Sequence, residues 1–301
     1  MLELKNPRVA IPIVLFAGLL WSLGPLVVRN MENPHLVPWQ YIFGRGLTIF
    51  ILLNLYLFFE EGKNFYKNYY KIGLSGVIGG SGLGVAMIAF IYSITNTSAA
   101  VTLLCLAAMP FFTALLAFLF LREKISINVW ISIIIATVGI VIMAIGNSGE
   151  KSLIGFVFGL TSSIGFSVFS VTLRWRKETP KFTTVAFAGL FCLIFSTIII
   201  LTNDLVFFSS SYNGFLFSLH GTLVCFGLIL YSIGSKAIPA AELTLLSLTE
   251  VIGGIFWVWL PLFGINETPS TNTIIGGFFL FVSIFYYSLI MRWNKRHIAL
   301  N

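Results

Sequence analysis

Residues 99–110 read AAVTLLCLAAMP, and residues 240–251 read AAELTLLSLTEV, 141 positions later. Each stretch opens an apolar run of about 20 residues, the length one helix needs to cross a bilayer. A short link holding a glutamate follows each run: Leu121-Arg122-Glu123-Lys124-Ile125-Ser126 in the first case, Phe263-Gly264-Ile265-Asn266-Glu267 in the second. Another glycine-containing apolar run comes next, with Gly139 in one copy and Gly276-Gly277 in the other. A chain that repeats itself at such a period is built of two similar units.

Outward from these segments, apolar stretches recur at 10–28, 38–59, 72–92, 98–121, 127–146, 153–174, 183–203, 213–233, 240–262 and 272–292. Runs of this length far exceed a barrel strand, so each is expected to be a helix. Two separations are thin: Asn96-Thr97 between the third and fourth, and Lys236 to Pro239 between the eighth and ninth. The repeat divides the chain into units of five spans, 10–146 and 153–292. Five is odd, so the second unit must enter the membrane from the opposite face. The expected fold is an all-α membrane protein of ten transmembrane helices arranged as two inverted five-helix repeats. Inverted repeats are a transporter architecture, with the substrate site near the midplane between the halves.

Composition leaves room for little else. Of 301 residues 57% are hydrophobic and 10% charged, where a soluble domain carries about a quarter charged residues. A soluble enzyme, a secreted module and a disordered chain are excluded, because too little polar surface is present to face water. The net charge of +7 would point to nucleic acid in a soluble protein, but topology accounts for it here. Lys5, Arg8, Lys63, Lys67, Lys71, Arg122, Lys124, Arg174, Arg176, Lys177, Lys181, Lys236, Arg292, Lys295 and Arg296 all fall on one side, 15 of the 18 basic residues. Arg29 and Lys151 fall on the other, and Arg45 inside a span. Basic residues gather in cytoplasmic links. A multi-pass cell-membrane protein with both termini cytoplasmic, and with no nucleic-acid partner, is therefore expected.

Cys105, Cys192 and Cys225 lie in apolar runs and read as small hydrophobes. Neither they nor His35, His220 and His297 have metal-ligand spacing. The GGSGLG string at 79–84 lacks the preceding strand and the later acidic residue of a nucleotide fingerprint. Gly76, Gly80 and Gly84, four residues apart, instead permit close helix packing in lipid. No cofactor and no metal are expected, and the first apolar run lacks the small-residue site of a cleavable signal.

Ionisable groups inside a membrane cost several kcal/mol, about 2.5 to 3.5 on insertion scales, which singles out Arg45, Glu242 and Glu250. Glu250 lies about ten residues into its span, near the midplane. Arg45 lies about eight residues into a span entered from outside, roughly 10 Å deep at 1.5 Å per residue. Glu242 sits at the boundary. Glu250 is a candidate proton- or cation-binding carboxylate, or else one partner of a helix–helix ion pair with Arg45. Arg45 in turn either grips an anionic group with its planar fork or anchors helices. Trp21, Tyr92 and Trp257 are the aromatic residues placed to line a cavity, where rings hold amines or aromatic solutes. Other rings, such as Trp130, Trp175 and Trp293, sit at span ends and suit the interface belts. His220, about eight residues into its span, titrates near neutral pH in water and completes the candidate set.

The pattern Ala99-x-x-x-Leu103-Leu104 ending in Met109-Pro110, followed by an apolar helix and Leu-Arg-Glu-Lys-Ile-Ser at 121–126, resembles the EamA repeat of the drug/metabolite transporter superfamily. Trp21-Ser22, Arg45, and Ile238-Pro239-Ala240-Ala241 followed by Glu250 resemble it too. The chain departs from the second-repeat pattern at Val251, where the family carries proline, and in a Glu267 link longer than its first-half counterpart. The resemblance implies a ten-helix inverted-repeat transporter that exports or exchanges amino acids or related metabolites.

The expected function is thus secondary transport of a small organic metabolite by alternating access, with a proton as candidate coupling ion and Glu250 as its carrier. No nucleotide-binding motif is visible, and no clustered catalytic residues suggest an enzyme. Uptake of a cationic, choline-like solute is a competing transport reading, and a non-transporting structural subunit is the alternative of another class. The expected partners are a small-molecule substrate and the lipid bilayer; a monomer suffices, since the repeat already supplies two halves, and a dimer is compatible.

Overall fold

The computed structural model describes residues 6–146, 153–176, 178–261, 264, 265, 268 and 270–298. The Glu267 link and Lys5, Lys151 and Lys177 lie outside the described residues. Fourteen α-helices account for nearly all of the rest: α1 (Pro7–Trp21), α2 (Gly24–Arg29), α3 (Pro38–Glu61), α4 (Lys67–Lys71), α5 (Gly73–Asn96), α6 (Ala99–Leu106), α7 (Met109–Leu116), α8 (Ile127–Gly146), α9 (Leu153–Trp175), α10 (Lys181–Thr202), α11 (Ser211–Gly234), α12 (Ala240–Leu246), α13 (Thr249–Trp259) and α14 (Thr271–Ile298).

Among the described residues eight segments are long and apolar enough to cross a membrane: 7–29, 38–64, 73–96, 99–121, 154–175, 181–202, 211–234 and 240–259. Two shorter apolar stretches, within α8 and α14, pack along each other. The surface is apolar: Phe16, Phe59, Phe118, Phe120, Ile134 and Phe278 are all more than half exposed. Many hydroxyls point inward instead, among them Ser162, Ser163, Ser167, Thr172, Thr184 and Ser247. This distribution suits lipid outside and helix–helix hydrogen bonds inside. The chain is a multi-pass helical membrane protein.

Three of the eight segments are broken, which apolar periodicity alone does not foresee. Proline marks two of the breaks. Pro25 and Pro110 stand in the first turns of α2 and α7, where a missing N–H costs nothing but from where a helix cannot run on toward the N-terminus undisturbed. The third break, at Ser247-Leu248, has no proline; Ser247 Oγ bonds back to Thr244 O at 2.8 Å, competing with the helical ladder. The carbonyls beside the second break are satisfied from α9. Ser163 Oγ donates to Cys105 O, and Ser167 Oγ donates to Met109 O at 3.1 Å. The spacing of four residues puts both serines on one helix face.

α5 packs along α9 and α10, α3 along α10 and α11, and α1 along α11, while α6–α7 sit on α9 and α12–α13 on α1. The α5 glycines serve this packing. A Cβ on Gly80 or Gly84 would meet the rings of Phe187 and Phe191 on α10. Gly82 and Gly165 bring the backbones of α5 and α9 together, since a Cβ on Gly165 would lie 2.6 Å from Gly82 O. Past α7 the helix widens over 117–121 and stops at Arg122, whose φ of 53° is left-handed. That turn aims Glu123 at α9, where its Oε1 accepts from Arg174 Nε at 2.6 Å.

Candidate functional site

Between these helices lies a cavity with about 500 Å³ of empty space, its open mouth included. Trp21, Arg45, Met87, Phe166, His220 and Glu250 are among its walls. Along helices that rise 1.5 Å per residue, its walls begin about 10 Å from the end of the bundle that carries Arg174 and Lys181. Below them Trp21, Phe166 and Tyr231 form an aromatic cluster with centroids 5.1–5.5 Å apart, and Phe169 stacks beneath Tyr231. Tyr231 Oη lies 2.6 Å from Ser170 Oγ.

Arg45 is positioned by α3, which starts at Pro38 and carries it two turns inward. It is 3% exposed. One terminal nitrogen, Nη2, donates to Met87 O at 2.6 Å, while the Nε–H, also buried, has no hydrogen-bond partner among the described residues. Its guanidinium carbon lies 6.0 Å from the centroid of the Tyr41 ring, one turn earlier. A buried guanidinium with an unused donor is costly.

Glu250 owes its place to the third break. α13 begins at Thr249, so Glu250 stands in a helical first turn, where the helix dipole favours an anion. It is 9% exposed. Among the described residues its carboxylate has no hydrogen-bond or ion-pair partner, and no ion pair joins it to Arg45. Both charged groups face the same cavity separately. The break also alters its helical face: Gly253 and Gly254 pack on Ser22 and Leu103 as tight helix contacts.

His220 lines the cavity from α11, and its Nδ1 bonds the Tyr41 hydroxyl. Trp21 donates from Nε1 to Val224 O at 3.3 Å. Four of the six sequence-derived candidates, Arg45, Glu250, His220 and Trp21, thus share one cavity. Tyr92 and Trp257 do not line it. Tyr92 packs at ring distances of 5.2 and 5.1 Å between Trp39 and Phe158, and Trp257 Nε1 donates to Ser22 Oγ at 3.0 Å beside the first break. Glu242, at the span boundary, accepts from the Tyr287 hydroxyl. Met87, Met109 and Phe166 line the cavity unannounced; in a chain with 30 phenylalanines, type alone does not single one out. Among the described residues no cluster of His, Cys, Asp or Glu could hold a metal ion.

The fold and cavity define a polytopic membrane protein with a polar-tipped interior site. The sequence profile of the EamA-like transporter family matches residues 8–145, a little under half of the chain. An uncharacterized transporter of Helicobacter pylori strain J99 is 29% identical over 171 residues, 56% of each chain. The chain therefore spans just over half the length of that relative. An uncharacterized transporter of Clostridium kluyveri is 26% identical over 232 residues, covering 72% of this chain and 71% of that one. A solved crystal structure of a protein superposes over 96% of this chain and all of its own with a TM-score of 0.74 at 16% identity, a likeness of fold.

Proposed function

We propose that this protein is a secondary transporter that moves a small organic solute, an amino acid or a related zwitterion, through the membrane by alternating access. The observation that carries the reading is that Arg45 and Glu250 face one largely apolar cavity without pairing with each other. A guanidinium suits a carboxylate, a carboxylate suits an ammonium, and Trp21, Met87 and Phe166 suit an apolar side chain between them. Arg45 in the same cavity disfavours a choline-like cation, which would leave the guanidinium unanswered. Glu250, as a desolvated carboxylate, is the group proposed to carry a coupling proton.

In this reading the chain crosses the membrane ten times, α8 and α14 included, as two inverted units over 10–146 and 153–292, with both ends cytoplasmic in the cell membrane. The packing supports the inversion. Exchanging the first five spans for the second five turns the α5–α9 contact into α11–α1, α5–α10 into α11–α3, and α6–α7 on α9 into α12–α13 on α1. The contacts of α3 with α10 and of α8 with α14 map onto themselves.

Counterflow of labelled solutes in proteoliposomes, with and without a pH gradient, tests the function. The panel holds apolar amino acids, their decarboxylated amines and choline. Accumulation of a zwitterion supports the reading; choline alone replaces it with the cationic one; no exchange across the panel by folded protein overturns it.

A further inference from the structure

Tyr41 is fully buried, lies on α3 one turn before Arg45, and is not among the cavity's lining residues. Its ring packs edge-on against Phe217 at 5.0 Å and its hydroxyl meets Nδ1 of His220. That bond has two proton arrangements. Were Nδ1–H the donor, the phenolic proton would need another acceptor, and among the described residues the Tyr41 hydroxyl has no second partner. A buried O–H left without an acceptor is costly, whereas an imidazole N–H on the cavity side meets water or solute, since His220 lines the cavity and Tyr41 does not; the phenol therefore donates and Nδ1 accepts. A neutral imidazole accepting at Nδ1 carries its proton on Nε2.

Nε2 has no hydrogen-bond partner among the described residues. It lies against Gly24, just past the first helix break, where a Cβ would sit 2.6 Å from it; the absent side chain leaves that nitrogen clear. His220 lines the cavity, and so does Arg45 with its own unused, buried Nε–H. Arg45 on α3 and His220 on α11 therefore border one space, with Glu250 contributed from α13.

We propose that Tyr41 is a positioning residue for solute binding: by donating to His220 Nδ1 it fixes the imidazole with its proton on Nε2, and that N–H joins the Arg45 guanidinium as a two-donor subsite for the solute's carboxylate. The proposal rests on the cavity being the solute site. It adds a second donor, and a residue outside the cavity that sets the donor's proton.

The test uses the purified full chain in detergent and calorimetric binding of two probes that share one carbon skeleton, 4-methylpentanoate and 3-methylbutylamine. Tyr41→Phe keeps the ring and its contact with Phe217. It is expected to weaken 4-methylpentanoate about fivefold, the worth of one uncharged hydrogen bond, and to leave 3-methylbutylamine within a factor of two. His220→Gln places a fixed amide donor near the Nε2 position, so adding Tyr41→Phe to His220→Gln should cost nothing further. Equal weakening of both probes, or an undiminished Tyr41→Phe effect in the His220→Gln background, overturns the proposal. Wild-type protein that binds the amine but not the carboxylate overturns the subsite and leaves the cavity reading standing; binding of neither probe sinks both.

Discussion

Arg174 Nε donates to Glu123 Oε1 at 2.6 Å, and the same guanidinium donates through Nη1 to Ser235 O at 3.1 Å and Ile238 O at 2.9 Å. One side chain of α9 thus ties the turn after α7 to the link between α11 and α12. Lys181 Nζ adds a bond to Ser235 Oγ at 2.6 Å. The knot sits below the aromatic floor of the cavity and must open if solute is to leave at this end. Glu123→Gln removes its only carboxylate and, after allowance for partial exposure, loosens closure by about 1 kcal/mol. With Cys105, Cys192 and Cys225 replaced by alanine and Leu228→Cys added as reporter, labelling by an impermeant maleimide from the Arg174 face should rise about fivefold. Unchanged labelling would show that the knot does not govern access.

Glu250→Gln preserves shape and removes the charge. Counterflow should fall by about 100-fold, the order of effect expected when a positioned proton-transfer group is lost, while size-exclusion elution stays that of wild type. Full, pH-dependent exchange in the variant would rule out Glu250 as the coupling group.

Arg45→Met separates stability from binding. The guanidinium is buried, with Nε unpartnered, so its replacement by an apolar chain of similar length should leave the melting temperature unchanged or higher. Binding of 4-methylpentanoate should disappear. A large drop in melting temperature would mean that the bond to Met87 O holds the helices together.

Gly165→Ala probes the α5–α9 seam. The new Cβ would lie 2.6 Å from Gly82 O and 3.0 Å from Ala86 N, both backbone atoms that cannot rotate away. A destabilisation of about 1–3 kcal/mol is expected, read as a lower melting temperature in detergent. An alanine tolerated without loss would show that the two backbones can part cheaply.

Apolar run length located the helices well. The stretch expected at 127–146 is α8 as drawn, and 153–174 differs from α9 by a single residue. The separations at Asn96-Thr97 and at Lys236 to Pro239 both hold, because Ser98 caps α6 through its side chain and Pro239 precedes α12. The breaks escaped because hydropathy ignores backbone continuity: Ser22-Leu23, Ala107-Ala108 and Ser247-Leu248 are as apolar or small as their neighbours. The cavity's charged and titratable members were legible from scarcity, since a buried ion in lipid needs a reason. Its rings were not. Trp21 and Trp257 lie at comparable depth, yet Trp21 meets the cavity and Trp257 a serine hydroxyl, and that difference is set by helix rotation, which only packing decides.

The third break bears on how the molecule is made. α12 and α13 have 7 and 11 residues, each well short of the roughly 20 that cross a bilayer alone, so 240–259 must enter as a unit. It is also the least apolar and most buried of the eight candidate segments. Besides α6 and α7 it meets α1 and α2: Thr249 Oγ1 donates to Leu15 O at 3.2 Å and Trp257 Nε1 to Ser22 Oγ at 3.0 Å. α1 thus waits more than 200 residues for these bonds, and the acidic wall of the cavity is the last of its walls to be installed. A nascent protein therefore holds its arginine in the membrane before its glutamate arrives, and the cavity is complete only when α13 packs on α1 and α2.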